Sequence, residues 1–405
     1  MITEQKKRKE LDDNDFAKLI HIVKYMGSKK PILDFVLDQI SEITPPDGTV
    51  CDLFSGSCSI SGGLRNRYDV ISNDIQTYSE IFAHTYFSDF SQYTAEEVYE
   101  DIERTSNIHV TELYQIFPEL FDDLYKIGTL NGFAKFEKKQ RDLIDKDFTG
   151  VDYYLYTKYY SGTYWSFQQC VWIDSLRRTA EAYKSTPIYY AILSSLMYAM
   201  SYTSQSTGHF AQYRDGSTIE AIENILTYRQ KSISKLFKKK FTQLLETYRS
   251  TSKDLTTYSL DFKDCLEKIP EGTTVYADPP YAPVHYSRFY HALETLVRYD
   301  YPDLEHKGRY RMDRHQSPFS QKSNAPTAFS EMFKKIAKRK CQMVLSYSGT
   351  GVISIEEVMR LLPIHFNKAE YSIKKLALDY KHSTMGRAED KDRDVIEYLI
   401  VANLI

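Results

Sequence analysis

The four residues Asp278-Pro279-Pro280-Tyr281 constrain this chain most, because they directly follow the apolar run 273–277. That run predicts a buried strand, so the four residues are expected at a strand end. An ionised Asp278 only accepts hydrogen bonds, and a proline fixes φ and offers no N–H, so the Pro279 carbonyl adds an acceptor. Tyr281 adds an aromatic face for stacking. The group suits a flat, amine-bearing base, although a strand ending in a plain Pro-Pro turn has the same pattern.

A second group, residues 52–59, follows the predicted strand 49–54 and precedes a stretch compatible with a helix. Gly56 allows a ligand to approach the backbone closely, and the following helix N-terminus favours negative groups. The next predicted strand, 69–73, ends at Asp74, where a carboxylate can bind both hydroxyls of a ribose. Because the loop lacks both GxGxxG and a Walker lysine, the spacing indicates a nucleoside cofactor rather than a phosphate site. An ordinary tight turn is the alternative.

Two further groups carry less information alone. In residues 24–29, Lys29 could pair with a cofactor carboxylate and Tyr25 could pack beside it. The alternative is a charged segment at the start of a helix, anchored by Tyr25, with no ligand. Before the tetrapeptide, Asp261 could accept a hydrogen bond from the amine of a cofactor adenine, with Phe262 against the ring. These two groups gain meaning only from their order along the chain.

Composition indicates an ordinary globular protein, with 42% hydrophobic and 26% charged residues among 405. We find no apolar run that could span a bilayer, and the charged tail 1–20 lacks the apolar core of a signal peptide, so a cytoplasmic location and no membrane partner are expected. The five cysteines lack metal-ligand spacing, so no metal site is expected. The net charge of −3 does not indicate nucleic-acid binding, but a near-neutral protein can still carry a basic cleft.

The chain shows two kinds of secondary-structure pattern. Residues 21–84 and 251–405 show short β-rich runs between helical patterns, which predicts an α/β domain. Residues 85–250 are aromatic and helical in pattern, which predicts a separate inserted domain. The predicted strands are 49–54, 69–73, 274–277, 342–346 and 395–401.

In this order, the four groups resemble the Dam-like, or D12, class of N6-adenine-specific DNA methyltransferases. The resemblance implies a Rossmann-like methyltransferase domain that uses S-adenosylmethionine, with a mostly helical inserted target-recognition domain at 85–250. It also implies methyl transfer to N6 of a flipped-out adenine in double-stranded DNA, within a restriction-modification or a host or phage methylation system. A restriction endonuclease could accompany the protein, which is expected to act as a monomer, with a dimer left open.

Residue roles follow from the same resemblance. The implied cofactor-binding residues are Tyr25, Lys29, Asp52, Phe54, Gly56, Ser57, Asp74, Asp261, Phe262 and Asp278. The implied catalytic residues are Asp278, Pro279, Pro280 and Tyr281. One departure is Cys58, which stands where the class has a second loop glycine and puts the course of the turn in question.

Two segments are predicted to contact DNA. The loop 299–317 is long for the class, and its Arg309, Arg311 and Arg314 suit phosphate and base-edge contacts. In the helical part, 207–214 resembles the glycine-aromatic element near the target base, so His209, Tyr213 and Arg214 are predicted DNA contacts. For both segments, a surface loop or turn without DNA contact is the alternative.

Other functions remain open from sequence alone. An N4-cytosine DNA methyltransferase more often has Ser in place of Asp278, and a protein-amide methyltransferase usually has Asn there. RNA is another possible acceptor. A DNA-binding regulator without chemistry would have no need for Asp278, Tyr281, Asp74 and Gly56 together. The DNA sequence that would be recognised does not follow from these residues.

Overall fold

The computed structural model describes residues 19–23, 32–120, 129–206, 209–383 and 392–405. Its strands are β1 (Thr49–Asp52), β2 (Asp69–Asn73), β3 (Leu255–Tyr258), β4 (Thr274–Ala277), β5 (Leu304–Glu305), β6 (Tyr310–Arg311), β7 (Gln342–Ser348), β8 (Tyr371–Ser383) and β9 (Asp392–Leu404). Strands β5 and β6 pair as a short hairpin, and the other seven form one sheet in the order β3-β2-β1-β4-β7-β9-β8.

Strands β3, β2, β1, β4 and β7 are mutually parallel, and β9 runs antiparallel to both of its neighbours. A mostly parallel sheet needs crossover connections, and helices supply them here. The α/β prediction is therefore confirmed, and all five predicted strands are present. The sequence analysis missed β3 and β8, because the half-buried run 255–258 and the polar run 371–383 lack the continuous apolar pattern of a central strand.

The helices in chain order are α1 (Leu33–Ile43), α2 (Ser59–Leu64), α3 (Tyr78–Phe87), α4 (Ala95–Ile116), α5 (Leu130–Arg141), α6 (Leu155–Tyr160), α7 (Phe167–Glu181), α8 (Ile188–Thr203), α9 (Ile219–Arg229), α10 (Ile233–Thr247), α11 (Phe262–Lys268), α12 (Ser287–Arg298), α13 (Ala325–Lys338) and α14 (Ile355–His365). One face of α1 is apolar and buried, through Val36, Ile40 and Ile43. These side chains pack under the sheet with Val50 and Val344.

Helices α4 to α10 connect α3 to β3, so the middle of the chain is helical as its pattern predicts. Two smaller hydrophobic clusters lie entirely within these helices and their connections, but the largest cluster is shared with the α/β part. One hydrophobic cluster joins α7, α8 and α10 to α3 and α12, with Trp165 and Tyr156 fully buried at its centre. The helical part is thus packed continuously onto the α/β part.

The N-terminal segment 19–23 is fixed to this shared core. The main-chain N–H of Ile20 donates to the Tyr248 hydroxyl at 3.0 Å, and its carbonyl accepts from the Tyr86 hydroxyl at 3.0 Å. Lys240 on α10 donates to the His21 carbonyl at 3.1 Å. Contacts with α3, α10 and Tyr248 therefore fix the position of segment 19–23.

The cysteines Cys51, Cys58, Cys170, Cys265 and Cys341 are buried free thiols. Within the described ranges, no helix has both the length and the apolar character needed to cross a membrane.

Candidate active site

A cavity of about 1200 Å³ of empty space, partly open to solvent, lies at the carboxyl ends of β1, β2 and β4. Ligands bind at this edge in open α/β sheets. The cavity is lined by these residues singled out from the sequence: Asp52, Phe54, Gly56, Ser57, Asp74, Asp261, Phe262, Asp278, Pro279, Pro280 and Tyr281. Three of the four groups, spread over more than 200 positions of the chain, therefore meet around one space.

Strand register explains why these groups meet. Asp52 on β1 is level with Ser72 on β2 and with Tyr276 on β4. Because parallel strands end at the same edge, residues two positions further along each strand reach a common level. That level holds Asp74 and Asp278.

The β1–α2 turn is left-handed at two positions. Gly56 has φ of 49° and Cys58 has φ of 54°. The Cys58 thiol, fully buried, donates to the carbonyl of Ser79 at 3.1 Å. The cysteine thus keeps the left-handed backbone that glycine adopts more readily, and its side chain fills a space beneath α3. Burial raises the pKa of this thiol well above its usual range, so it stays protonated.

Asp74 connects the cofactor turn to the end of β2. Its Oδ2 accepts from the Gly56 N–H and its Oδ1 from the Gln76 N–H, both at 2.9 Å. Burial raises the pKa of Asp74 to about 6, against the opposing effect of these hydrogen bonds. Each carboxylate oxygen keeps a second lone pair for a ligand hydroxyl, so Asp74 can still bind a ribose.

The polar atoms of the cavity wall that follows β2 fit a nucleoside. The Oε1 atom of Gln76, also in the lining, is buried and has no hydrogen-bond partner among the described residues. A buried acceptor without a donor is costly, and a ligand hydroxyl or amine would satisfy it. The chemistry of Asp74 and Gln76 together therefore fits the ribose-bearing cofactor that the sequence predicts.

Asp52 positions the helix after the turn. Its Oδ2 accepts from both the main-chain N–H of Ser61, at 3.2 Å, and the Ser61 hydroxyl, at 2.7 Å. Burial raises the pKa of Asp52 to about 7, and the negative charges of Asp278 and Asp74 add to the shift. Asp52 lines the cavity, but the contacts of this oxygen serve to fix α2 against β1.

The opposite wall is aromatic. Phe262 lies 6.1 Å from Phe54 and 5.0 Å from Phe319, measured between ring centroids, and Phe54 lies 5.4 Å from Phe319. Asp261, at the N-cap of α11, accepts from the Lys263 N–H at 3.0 Å. A flat ring can pack on this wall, and the Asp261 carboxylate can accept hydrogen bonds from polar groups at the edge of that ring.

The tetrapeptide forms the remaining wall and is held from the far side. The Tyr281 carbonyl accepts from the Val352 N–H at 2.9 Å. The Tyr281 ring meets the buried Tyr347 ring edge-on, with centroids 5.8 Å apart. The two prolines between this anchor and β4 leave the backbone little freedom, so the acceptors of Asp278 and Pro279 are presented in a stiff turn.

The sequence model of the D12 class N6 adenine-specific DNA methyltransferase family matches residues 25–359. The chain belongs to this D12 family.

Curated relatives of the chain include bacterial and viral methylases. It is 24% identical to modification methylase LlaI of Lactococcus lactis subsp. lactis, over 84% of this chain and 48% of the relative. It is 26% identical to type II methyltransferase M.FokI of Planomicrobium okeanokoites, over 87% of this chain and 49% of the relative. Type II methyltransferase M.CviAII of Paramecium bursaria Chlorella virus 1 is 24% identical over 86% of this chain and 90% of its own length. The chain thus spans about half the length of the first two relatives.

Sequence reasoning missed part of the cavity wall of this D12 family member. The additional lining residues include Gln76, Tyr286, Ser287, Tyr290, His315, Ser317 and Pro318. His315 reaches the cavity because the loop 299–317 folds back onto α12, where the Ser287 hydroxyl donates to the His315 carbonyl at 2.8 Å. Burial lowers the pKa of His315, with the nearby Asp261 carboxylate opposing the shift. The one signal in the sequence was the Ser317-Pro318 pair, which ends the loop beside a buried Phe319.

The three arginines of the loop 299–317 lie outside the cavity lining. Arg311, with 3% of its side chain exposed, pairs with Asp300 at 2.6 Å and with Asp313 at 3.0 Å. Arg314 pairs with Glu305 at 2.6 Å. Arg309 donates to main-chain carbonyls of the helical part, including that of Arg141 at 3.3 Å. These contacts hold the loop in place, and direct DNA contact by the three arginines stays a prediction.

The three DNA contacts predicted near residue 210 also lie outside the cavity lining. The His209 ring packs at a tilt against the Phe289 ring, with centroids 4.3 Å apart, and burial lowers the pKa of His209 to about 4. Tyr213 is buried edge-on against Tyr164. Arg214 donates to the side chain of Asn224. Their DNA contacts likewise remain predictions.

Tyr25 and Lys29 lie outside the described residues, as do Thr207 and Gly208.

Proposed function

We propose that this protein transfers a methyl group from S-adenosylmethionine to N6 of an adenine in duplex DNA. The observation that carries the proposal is the single cavity that contains both the Asp74 wall and the Asp278-Pro279-Pro280-Tyr281 turn. The first fits a nucleoside cofactor and the second fits a planar base with an exocyclic amine. Family membership supports the same reaction.

The chemical difficulty lies in the target amine, whose lone pair is delocalised into the purine ring. Asp278 would accept one N–H and the Pro279 carbonyl the other, which draws the lone pair out of conjugation and aims it at the methyl group. S-Adenosylmethionine supplies that methyl group on a positively charged sulfur. As the N6–carbon bond forms and the sulfur–carbon bond breaks, the amine loses one proton, for which Asp278 is the adjacent acceptor.

The adenine must leave the duplex to reach this turn. Its N6 amine is hydrogen-bonded within the stack, whereas the Asp278 carboxylate lies inside a walled cavity at the sheet edge. The Tyr281 ring would stack on the extruded base and offset part of the lost stacking energy.

Target recognition is assigned to the helical part, α4 to α10, together with the loop 299–317. The proposal includes His209, Tyr213, Arg214, Arg309, Arg311 and Arg314 as DNA contacts. The curated relatives are named as modification or type II methyltransferases, which supports a role as the modification component of a restriction system with a companion endonuclease. A monomer contains every wall of the described cavity, which supports action as a monomer.

The test is methyl transfer from labelled S-adenosylmethionine to unmethylated duplex DNA, followed by digestion to nucleosides and mass spectrometry. The expected product is N6-methyladenine in the nucleoside pool. N4-methylcytosine would overturn the base assignment, and cofactor binding without any modified nucleoside would overturn the reaction on DNA.

A further inference from the structure

Arg288, in the first turn of α12, differs from the other arginines in the described part of the chain. Its guanidinium makes no hydrogen bond or ion pair with a described residue, and its Nε is buried without an acceptor. Arg65, Arg229 and Arg314 also have a buried Nε without an acceptor, but their terminal nitrogens donate to oxygen atoms of other residues. A buried donor that lacks a partner costs free energy, so this position is suited to a ligand that brings an acceptor.

The surroundings of Arg288 are aromatic and basic. Its guanidinium lies 5.4 Å from the centroid of the Phe289 ring. Burial and then the charge of Arg288 lower the pKa of His209 to about 4. Burial, and then Arg314 and Arg288, lower the pKa of His285. Both imidazoles are therefore neutral near pH 7, and the positive charge of Arg288 is not cancelled by them.

One acidic group close to His285 already has a basic partner. Glu305 is the carboxylate that raises the pKa of His285, opposing the larger effects. It pairs with Arg314 at 2.6 Å. An anion that approaches Arg288 therefore meets a net positive charge.

Arg288 also stands at a defined place relative to the candidate active site. The residues on either side of its turn, Tyr286, Ser287 and Tyr290, line the cavity, whereas Arg288 does not. A base that enters the cavity leaves its sugar and phosphates at the rim. The guanidinium fork matches two phosphate oxygens, and stacking on Phe289 limits its freedom.

We infer that Arg288 binds a backbone phosphate next to the extruded adenine and so holds the flipped nucleotide at the rim of the cavity. The inference rests on the proposed function, because it presupposes duplex DNA as the substrate. It names a phosphate rather than a base edge, since Arg288 brings a positive charge that the neutral neighbouring rings do not cancel, and Phe289 adds only stacking.

The experiment compares Arg288→Gln, Arg288→Lys and wild type in binding to a duplex that contains the mapped target adenine, at several salt concentrations. Arg360→Gln is the matched control, because Arg360 is an exposed arginine of α14 outside the cavity lining. We expect Arg288→Gln to bind about tenfold more weakly, the effect of losing one charged hydrogen bond. Its slope of log affinity against log salt should fall by about one.

We also expect defined effects on non-target DNA, in the lysine variant and on cofactor affinity. Arg288→Gln should weaken binding to a duplex without the target adenine by a smaller factor, because no nucleotide is then extruded next to Arg288. Arg288→Lys should restore the salt slope but only part of the affinity. Affinity for S-adenosylmethionine alone should match wild type in both variants, which shows that the fold and the cofactor wall are intact.

Two results would overturn the inference. The first is an Arg288→Gln variant that matches Arg360→Gln in affinity and salt slope. The second is an unchanged slope with relaxed target preference, which would assign Arg288 to a base edge. Failure of the proposed function is distinguishable from both, because wild type itself would then leave DNA unmethylated.

Discussion

The main-chain N–H of Gly56 donates a 2.9 Å hydrogen bond to Oδ2 of Asp74. This contact ties the left-handed turn after β1 to the acidic end of β2, so the two elements proposed to bind the cofactor form one unit. A change at Asp74 therefore alters both a ligand acceptor and the shape of the turn.

We predict that Asp74→Asn weakens binding of S-adenosylmethionine by about 10- to 100-fold, because charged hydrogen bonds to the ribose and to Gly56 are lost. Isothermal titration calorimetry measures the change. Asp264→Asn, an exposed aspartate of α11 outside the lining, serves as the control and should bind like wild type. Unchanged affinity in Asp74→Asn would contradict the ribose assignment.

The raised pKa of Asp74, about 6, predicts a pH dependence of cofactor binding. Below pH 6 the carboxyl is protonated and is a weaker acceptor for the ribose, so affinity should fall as pH drops through 6. Stability without cofactor should move the other way, since a raised carboxyl pKa stabilises the fold at low pH and this contribution is lost as pH rises through 6. Calorimetric titrations from pH 5 to pH 8 test the predicted change in cofactor affinity.

Asp74→Asn should remove the inflection of cofactor affinity near pH 6. An inflection that persists near pH 7 in this variant would belong to Asp52, whose pKa burial raises to about 7. Identical pH profiles for wild type and variant would refute the assignment to Asp74.

Asp278→Ala should abolish methyl transfer, with a loss of at least about 100- to 1000-fold, because the acceptor that orients the amine is gone. Affinity for S-adenosylmethionine should change much less. Single-turnover transfer of a labelled methyl group gives the rate, and cofactor titration confirms an intact fold. An active Asp278→Ala variant would remove Asp278 from the mechanism.

Cys58 offers a direct measure of backbone strain in the cofactor turn. Cys58→Ala loses a buried thiol and keeps the left-handed conformation, whereas Cys58→Gly loses the thiol and relieves that conformation. We expect the glycine variant to be more stable than the alanine variant by about 1 kcal/mol. Thermal unfolding of the two variants provides the comparison, and a more stable alanine variant would show that the turn is unstrained.

The buried pair of Glu137 and Arg229 predicts a strongly non-additive effect. The two side chains bond through two contacts of 2.6 and 2.7 Å, with 4% and 1% of their surfaces exposed. Arg229→Met leaves Glu137 buried with the 3.1 Å hydrogen bond from Gln140 and the 3.5 Å contact to Arg141, and should cost about 3 to 5 kcal/mol. Adding Glu137→Leu should recover much of that loss, as a double-mutant cycle of unfolding measures.

The sequence was sufficient to predict the cavity walls that lie at strand ends. Asp74 and Asp278 each follow an apolar run directly, and parallel strands bring such positions to one edge. Local pattern and topology agree there, so each carboxylate could be placed without knowledge of the rest of the chain.

The remaining walls depend on contacts that are distant in sequence. His315 reaches the cavity only through its main-chain contact with Ser287, which no periodicity reveals. In the same loop, Arg311 was predicted to contact DNA because of its charge. In the structure that charge pairs with two aspartates, Asp300 and Asp313. Charge balance within a loop is visible in sequence, but the pairing geometry is not.

The common core of α3, α7, α8, α10 and α12 bears on how target preference could be changed in the laboratory. Exchanging the helical part for that of another family member would cut through packed side chains such as Trp165 and Tyr156 and expose apolar surface on both fragments. Chimeras with junctions near residues 88 and 250 should therefore aggregate unless α3 and α12 are exchanged as well. Engineering of a new target preference is better attempted by point substitutions at the exposed positions of an intact scaffold.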